Sequence, residues 1–275
     1  MSVHNYQGKR YQKGKSELRF DALTMEEPLQ IDVNGKPFTL TMRTPGDDRA
    51  LVRGLLHSEG VIKSPEFNPE LIFVNENKEG ILTQIALEIP TKELGDGYSN
   101  SRNLLSVASC GICGKTSLEE IGFMDACLDS KEKFDLELLE PAFLQMQNVQ
   151  DAFRKSGGSH AAAAFDWDGV LLCYAEDIGR HNAVDKIIGK LILEEKYKKA
   201  ALLTVSGRIS YEIVVKSFKG RVPILAAVSA PSSLAVDYAK ELGLTLFAFC
   251  RGDRATCYAH PERINENRSL NNQVS

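Results

Sequence analysis

The sequence predicts an α/β protein, with a sheet and flanking helices in its C-terminal part and a smaller β-rich subdomain before it. Three observations predict this. The hairpin dipeptides Asn34-Gly35 and Asp168-Gly169 sit between strand-like apolar stretches. Past Gly158, helical and strand patterns alternate with short connections, as parallel strands joined by right-handed crossovers would require. Small and polar residues recur wherever one of those strands hands over to a helix.

Residues 1–28 read as an N-terminal tail and 29–156 as the β-rich subdomain. From Leu29 to Met42 apolar residues alternate about Asn34-Gly35, a dipeptide that accepts positive φ. Pro45-Gly46-Asp47 breaks the strand, and Ala50 to Ser58 carries helical apolar spacing closed by Gly60. Leu71 to Asn75 and Ile81 to Ile89 form the next strand pair, followed by a polar loop from Thr91 to Asn103. A short strand, Leu104 to Ala108, leads into Ser109-Cys110-Gly111-Ile112-Cys113-Gly114-Lys115, and a helix begins near Thr116 or Ser117. Pro141 suits the first turn of a helix reaching Lys155, which Gly157-Gly158 ends.

Residues 157–257 read as the α/β domain. Ala161 to Phe165 and Val170 to Ala175 make its hairpin. Helices follow at Asn182–Lys196, Ile209–Phe218 and Ser233–Leu242, with strands at Ala200–Val205, Pro223–Val228 and Leu244–Phe249. Residues 258–275 read as a C-terminal tail.

With 275 residues, 43% hydrophobic and 25% charged, the chain can bury a substantial core in two unequal domains. A formal charge of −4 argues against a nucleic-acid partner, which needs a clustered basic surplus, but leaves anionic small ligands open. The stretch Met1 to Lys15 has no apolar core and no later run reaches membrane-spanning length, so a cytoplasmic protein without a membrane partner is expected. Six cysteines are too sparse for a disulfide scaffold. Cys127 and Cys173 lie in helical and strand patterns that suit small buried hydrophobes.

Cys110 and Cys113 are the chemically telling pair. The thiolate is the nucleophile in sulfur chemistry, and Lys115 together with a helix start are settings that lower a cysteine pKa. The same spacing also fits half of a structural zinc site. Zinc needs about four ligands, and the remaining candidates, Cys250, Cys257 and His260, are not paired at ligand spacing. The deaminase signature, a histidine and glutamate ahead of Pro-Cys-x-x-Cys, is missing. A thioredoxin-like protein would set its CxxC after the first strand of a βαβ unit, whereas here a mostly β region delivers it.

Four segments should gather on the carboxyl edge of the parallel strands, where open α/β folds bind ligands. They are Gly179-Arg180-His181-Asn182, Ser206-Gly207-Arg208, Ser229-Ala230-Pro231-Ser232-Ser233 and Arg251-Gly252-Asp253-Arg254. Helix N-termini there offer amides to phosphate, and Arg180, Arg208, Arg251 and Arg254 add guanidinium forks. A phosphate-rich nucleotide is the expected ligand. His181 either shuttles a proton or donates a hydrogen bond, and Glu176 and Asp177 orient Arg180 or cap its helix. His57 and His160 read as structural, His4 and His260 as exposed.

Taken in order, Ser109-Cys110-Gly111-Ile112-Cys113-Gly114, Glu176-Asp177-Ile178-Gly179-Arg180-His181-Asn182-Ala183-Val184-Asp185-Lys186, Ser206-Gly207-Arg208, Ala230-Pro231-Ser232-Ser233-Leu234-Ala235 and Phe249-Cys250-Arg251-Gly252 resemble the formate dehydrogenase accessory sulfurtransferase family, FdhD. The resemblance spans about Leu29 to Arg263. It implies a homodimer with a cytidine-deaminase-like mixed sheet that lacks the deaminase zinc site. It also implies a sulfurtransferase that takes persulfide sulfur from a cysteine desulfurase. The sulfur then passes to the molybdenum or tungsten bis-guanine-dinucleotide cofactor, bound as substrate, for formate dehydrogenase. By matching position, Cys110 is the persulfide carrier and Cys113 its partner. Phe249, Cys250, Arg251, Gly252, Asp253 and Arg254 become the cofactor-binding segment, with Ser206, Gly207, Arg208 and His181 on the same edge. Asp253 departs from what a phosphate site favours. A rival reading is a nucleotide-binding chaperone or regulatory module with zinc at the CxxC, and a third is a general thiol oxidoreductase.

Overall fold

The computed structural model describes residues 2–99, 127–128 and 131–265. Cys110, Cys113, the strand expected before them and the helix expected after them lie outside the described residues.

The chain opens on a hairpin where a tail was expected. Strands β1 (Val3–Gln12) and β2 (Lys15–Thr24) pair antiparallel along their whole length. Lys13 and Gly14 turn the chain with φ of 49° and 75°, the primed geometry that matches strand twist. Nearly every residue of this hairpin is exposed.

Strands β3 (Glu27–Val33) and β4 (Lys36–Arg43) follow, joined by Asn34 and Gly35 at φ 52° and 71° as the dipeptide demands. Helix α1 (Asp48–Ser58), strands β5 (Leu71–Glu76) and β6 (Leu82–Leu87) and the single turn α2 (Asp96–Ser99) complete the smaller subdomain. Its sheet runs β4-β3-β6-β5, with β3 and β6 parallel. Alternate residues Leu29, Ile31 and Val33 of β3 are fully buried against Leu51, Val52 and Leu56 of α1. Arg43, also fully buried, is satisfied by Asp48 at 2.7 Å and by the Leu82 carbonyl at 2.7 Å.

The larger subdomain contains β7 (Phe134–Asp135), α3 (Leu139–Asn148), α4 (Asp151–Ser156), β8 (His160–Phe165), β9 (Leu171–Asp177), α5 (Arg180–Leu193), β10 (Leu202–Val205), α6 (Tyr211–Lys219), β11 (Ile224–Ala227), α7 (Ser233–Glu241), β12 (Thr245–Arg251), β13 (Arg254–Ala259) and β14 (Ile264–Asn265). Its sheet runs β13-β12-β11-β10-β8-β9. β10, β11 and β12 are parallel, β8 is antiparallel to both its neighbours, and β13 is antiparallel to β12. The expected mixed sheet with flanking helices is therefore present. Ala161 to Ala164 of β8 are buried on both faces, where small side chains let helices approach from either side.

Three boundaries differ from expectation. The helix read from Pro141 to Lys155 breaks at Val149-Gln150, because Glu176 accepts from the Ala152 and Phe153 amides at 2.8 Å each and starts α4 afresh. Phe134, Leu139, Phe143 and Met146 pack with Phe165, Leu202 and Ile224, so the segment from Phe134 belongs with the larger sheet and not with the β-rich subdomain. Beyond Gly252, a strand and a short pairing of β14 with β7 replace the start of the tail expected from residue 258. Among the described residues, no helix is long and apolar enough to cross a membrane.

The two subdomains meet where α1 crosses α5. A Cβ on Gly54 would overlap the Asp185 carbonyl, and one on Gly189 would overlap that of Ala50, so the helices touch backbone to backbone. Two buried ion pairs flank the crossing. Lys186 Nζ lies 2.8 Å from Asp177 Oδ2 and 2.9 Å from the Thr44 carbonyl. Lys216 Nζ lies 2.8 and 2.9 Å from the two oxygens of Asp185 and 3.5 Å from Glu59. Burial opposes the Lys216 charge, but Asp185 and Glu59 outweigh it and hold the ammonium above its ordinary range.

Candidate functional site

The strand pairings bring the four expected segments to one edge. β9 is antiparallel to β8, which is antiparallel to β10, so β9, β10, β11 and β12 all end on the same side. β8 begins there, which adds His160, a residue read from the sequence as structural.

Helix α5 starts at this edge with Gly179 as N-cap and no side-chain cap, and α6 starts there on Ser210, also without one. Helix α7 is different: Ser232 accepts from the Ala235 amide at 3.1 Å. Asp177 sets the entry to α5. Its Oδ1 accepts from the Gly179 amide at 2.8 Å and from Asn182 at 3.1 Å, while Oδ2 receives Lys186. Asp177 thus caps the loop and Glu176 caps α4, and among the described residues neither pairs with Arg180. The Arg180 Nε is buried and has no partner among the described residues. A buried guanidinium donor left open at a helix start is a cradle for an anionic oxygen.

His181 is 8% exposed, and its Nε2 lies 2.8 Å from Glu212 Oε2 and 3.3 Å from Ser210 Oγ. Burial works against the Glu212 carboxylate, yet the His181 hydrogen bond and charge prevail and keep its pKa below the usual range. Glu212 and Ser210 both engage Nε2, so that nitrogen is occupied within the protein and is not the free one of a proton shuttle. His160 stands beside the strand end: a Cβ on Gly207 would lie 3.2 Å from its Nδ1 and 3.7 Å from the Arg180 Cβ. Burial, then the neighbouring Arg180 charge, lower the His160 pKa. Gly207 therefore lets the histidine and arginine close on the backbone.

The remaining expected residues reach the edge in other ways than at a helix start. Ser206 extends the ladder between β8 and β10, its Oγ accepting from the Ala161 amide at 2.9 Å. Arg208 is exposed and has no ion pair among the described residues. Residues Arg251 to Arg254 form the turn of the β12–β13 hairpin and not a helix entry; all four are exposed, and Arg251 and Arg254 face each other across the strands. Gly252 takes φ 57° to make that turn. Just before it the register shifts and Phe249 takes φ 55°, a left-handed conformation costly for a bulky side chain. This bulge exposes Phe249, with its ring 6.4 Å from that of Tyr258, and buries Cys250.

Cys250 is a core residue: burial pushes its pKa up to about 12, out of range for a thiolate. Cys173 behaves likewise, at about 12, as the small buried hydrophobe expected. Cys127, expected to be buried, is exposed. The zinc candidates do not converge: Cys257 Sγ meets the Ala259 carbonyl at 3.3 Å, and the His260 ring is held by Lys240 O and Glu262 at 2.7 Å each. Among the described residues no group of three metal-ligating side chains forms a site. Sequence reading missed His160, because an antiparallel strand begins where its parallel neighbours end, and Glu212, which read as an ordinary acid in a first helical turn.

Fold and edge together define an α/β protein of mixed sheet whose polar groups collect at the strand ends. A solved structure of a protein described as a formate dehydrogenase accessory protein, from Desulfotalea psychrophila, shares this fold with a TM-score of 0.75 and 22% identity, over 96% of this chain and 100% of that one. Residues 24–265 match the FdhD/NarQ family, and the chain belongs to that family. It is 40% identical over 263 residues to the sulfur carrier protein FdhD of Streptomyces coelicolor, covering 93% of each chain. It is also 40% identical over 255 residues to that of Mycobacterium tuberculosis (90% of this chain, 92% of the relative), and 39% identical over 245 residues to that of Sulfolobus acidocaldarius (89% and 91%).

Proposed function

We propose that this protein carries sulfur for formate dehydrogenase, accepting it on the Cys110-Gly-Ile-Cys113 motif and delivering it to a molybdenum or tungsten bis-guanine-dinucleotide cofactor held at the sheet edge. The observation that carries this reading is the edge itself: two uncapped helix starts, the open Arg180 donor, His160 beside the small Gly207 and the exposed arginines Arg208, Arg251 and Arg254. Those groups suit the phosphates of a guanine dinucleotide. The exposed aromatic Phe249 offers a face to its base.

In the proposed chemistry the Cys110 thiolate attacks the outer sulfur of a cysteine desulfurase persulfide. The desulfurase S–S bond breaks, its thiolate leaves, and Cys110 becomes a persulfide. The Cys113 thiolate then attacks the Cys110 sulfur and expels hydrosulfide toward the metal, leaving a Cys110–Cys113 disulfide. The transferred sulfur is reduced as the two thiols are oxidised, and a cellular dithiol returns the pair to its starting state.

The edge is tested by calorimetry with GDP. Arg208→Ala and Arg251→Ala should each weaken binding about ten- to a hundred-fold, the range for one charge-assisted contact to phosphate. Both residues are exposed, so neither change disturbs the core. Unchanged affinity in both variants would remove the edge from the reading. The zinc-module rival predicts about one zinc per chain by metal analysis, lost with stability on replacing Cys110 or Cys113.

A further inference from the structure

Strand β5 is a free edge of the smaller sheet: among the described residues it hydrogen-bonds only to β6. The opposite edge is engaged, since Asn182 of α5 donates to the Met42 carbonyl of β4 at 2.8 Å. Free edges are ordinarily guarded by charge, proline or a bulge. Leu71, Ile72, Phe73 and Val74 bring neither charge nor proline, and the register of β5 against β6 becomes irregular only after Phe73. Ile72, Phe73 and Val74 are 54%, 49% and 45% exposed, so apolar side chains stand open on both faces of the strand beside its unpaired backbone. Such a strand is a template for another.

A cavity of about 880 Å³ opens beside this strand, between Phe73, the start of α1 and the end of α5. Phe73, Ile81 and Leu193 give it apolar wall. Its charge is lopsided, with five carboxylates on the lining against two cations and His4. Three of the carboxylates are matched: Asp47 by Lys190, Asp48 by Arg43 and Glu194 by Lys196. The second cation of the lining, Arg49, lies over the Phe73 ring at 5.1 Å. Glu76 and Glu79 are exposed and have no ion pair among the described residues, and Lys78 between them is not part of the lining.

Charge and strand geometry together indicate the occupant. A strand added to β5 would send one row of its side chains to the cavity and the other beside Ile72 and Val74, because successive side chains point to opposite faces. The cavity row meets the open carboxylates Glu76 and Glu79 and suits cations, whereas an acidic row would meet five like charges. The outer row meets apolar side chains and suits apolar ones. The place is also separate from the nucleotide edge: α5 starts at that edge and reaches this cavity 14 residues later, about 20 Å along its axis.

We propose that β5 and the cavity beside it form a docking surface for a partner protein that offers an extended segment of alternating basic and apolar residues. The segment adds to the sheet as a further strand. Main-chain hydrogen bonds to β5 supply affinity, and the acidic cavity selects the basic row. The partner docks while the nucleotide edge at the far end of α5 stays uncovered.

Fluorescence anisotropy of the full chain with a labelled synthetic peptide, Lys-Val repeated four times, tests this. The peptide should bind saturably in the micromolar range. Glu76→Lys and Glu79→Lys together should weaken it about ten-fold or more, since like charges then meet at the cavity. Both residues are exposed, and far-UV circular dichroism checks that the variant keeps its fold. The same peptide N-methylated at every residue keeps its side chains and charge but loses its backbone donors, and it should not bind. No saturation at millimolar peptide, binding indifferent to the charge reversal, or equal binding of the N-methylated peptide would each overturn the proposal. So would β5 amides outside the β6 ladder that are already protected from hydrogen exchange in the free chain, because the edge would then be filled without a partner. None of these readouts depends on sulfur transfer.

Discussion

Gly189→Ala should destabilise the protein by about 3 kcal/mol or more, the upper end for overpacking. Intrinsic helix propensity predicts the opposite sign, a gain of about 1 kcal/mol for alanine over glycine inside a helix. The crossing of α1 and α5 decides between them. The new methyl would overlap the Ala50 carbonyl, backbone that cannot rotate aside, so the two helices must separate and open the junction between the subdomains. Gly54→Ala should do the same from the other side, against the Asp185 carbonyl. Urea denaturation checks both, and a stabilised alanine variant at either position would contradict the backbone-to-backbone crossing. Because α5 also starts the functional edge, both variants should lose nucleotide affinity along with stability.

Lys216→Met should cost about 3–5 kcal/mol, because it leaves the fully buried Asp185 carboxylate without its cation. Removing both charges in Asp185→Leu/Lys216→Met should cost less than the single change, since well-packed apolar residues of similar volume often replace a buried pair without loss. The partner Glu59 is 28% exposed and can turn to water, so it does not spoil the double variant. Denaturant midpoints of the three proteins check this coupling, and additive costs would show that the pair does not act as a unit.

Much of the fold was legible because local chemistry and tertiary structure agree. Asn34-Gly35 demanded a primed turn and the chain makes one, and the helix-strand alternation after Gly158 appears with boundaries shifted by only a few residues. The misses lie where long-range contacts decide. Nothing near Val149 announces a helix break, because the carboxylate that starts α4 comes from Glu176 in a different strand. The hairpin was missed because only its second strand alternates, Leu18, Phe20 and Ala22, while the first sets Lys9, Gln7 and Asn5 opposite them and carries no strand pattern of its own.

The site divides the same way. Glycine and arginine at strand ends were readable from spacing, and they do share an edge. What spacing could not give was the direction of β8, which brings in His160, or the bulge at Phe249 that turns Cys250 away from the edge and into the core. Cys250 matched the motif by position, but its environment gives it a packing role.

Mass spectrometry of the full chain after incubation with a cysteine desulfurase and cysteine tests the sulfur-carrier reading most directly. The account predicts a one-sulfur adduct on the peptide containing Cys110, lost in Cys110→Ala, with the buried Cys173 and Cys250 unmodified. No adduct on the wild type, or one that survives on the exposed Cys127 when Cys110 and Cys113 are both alanine, would contradict it.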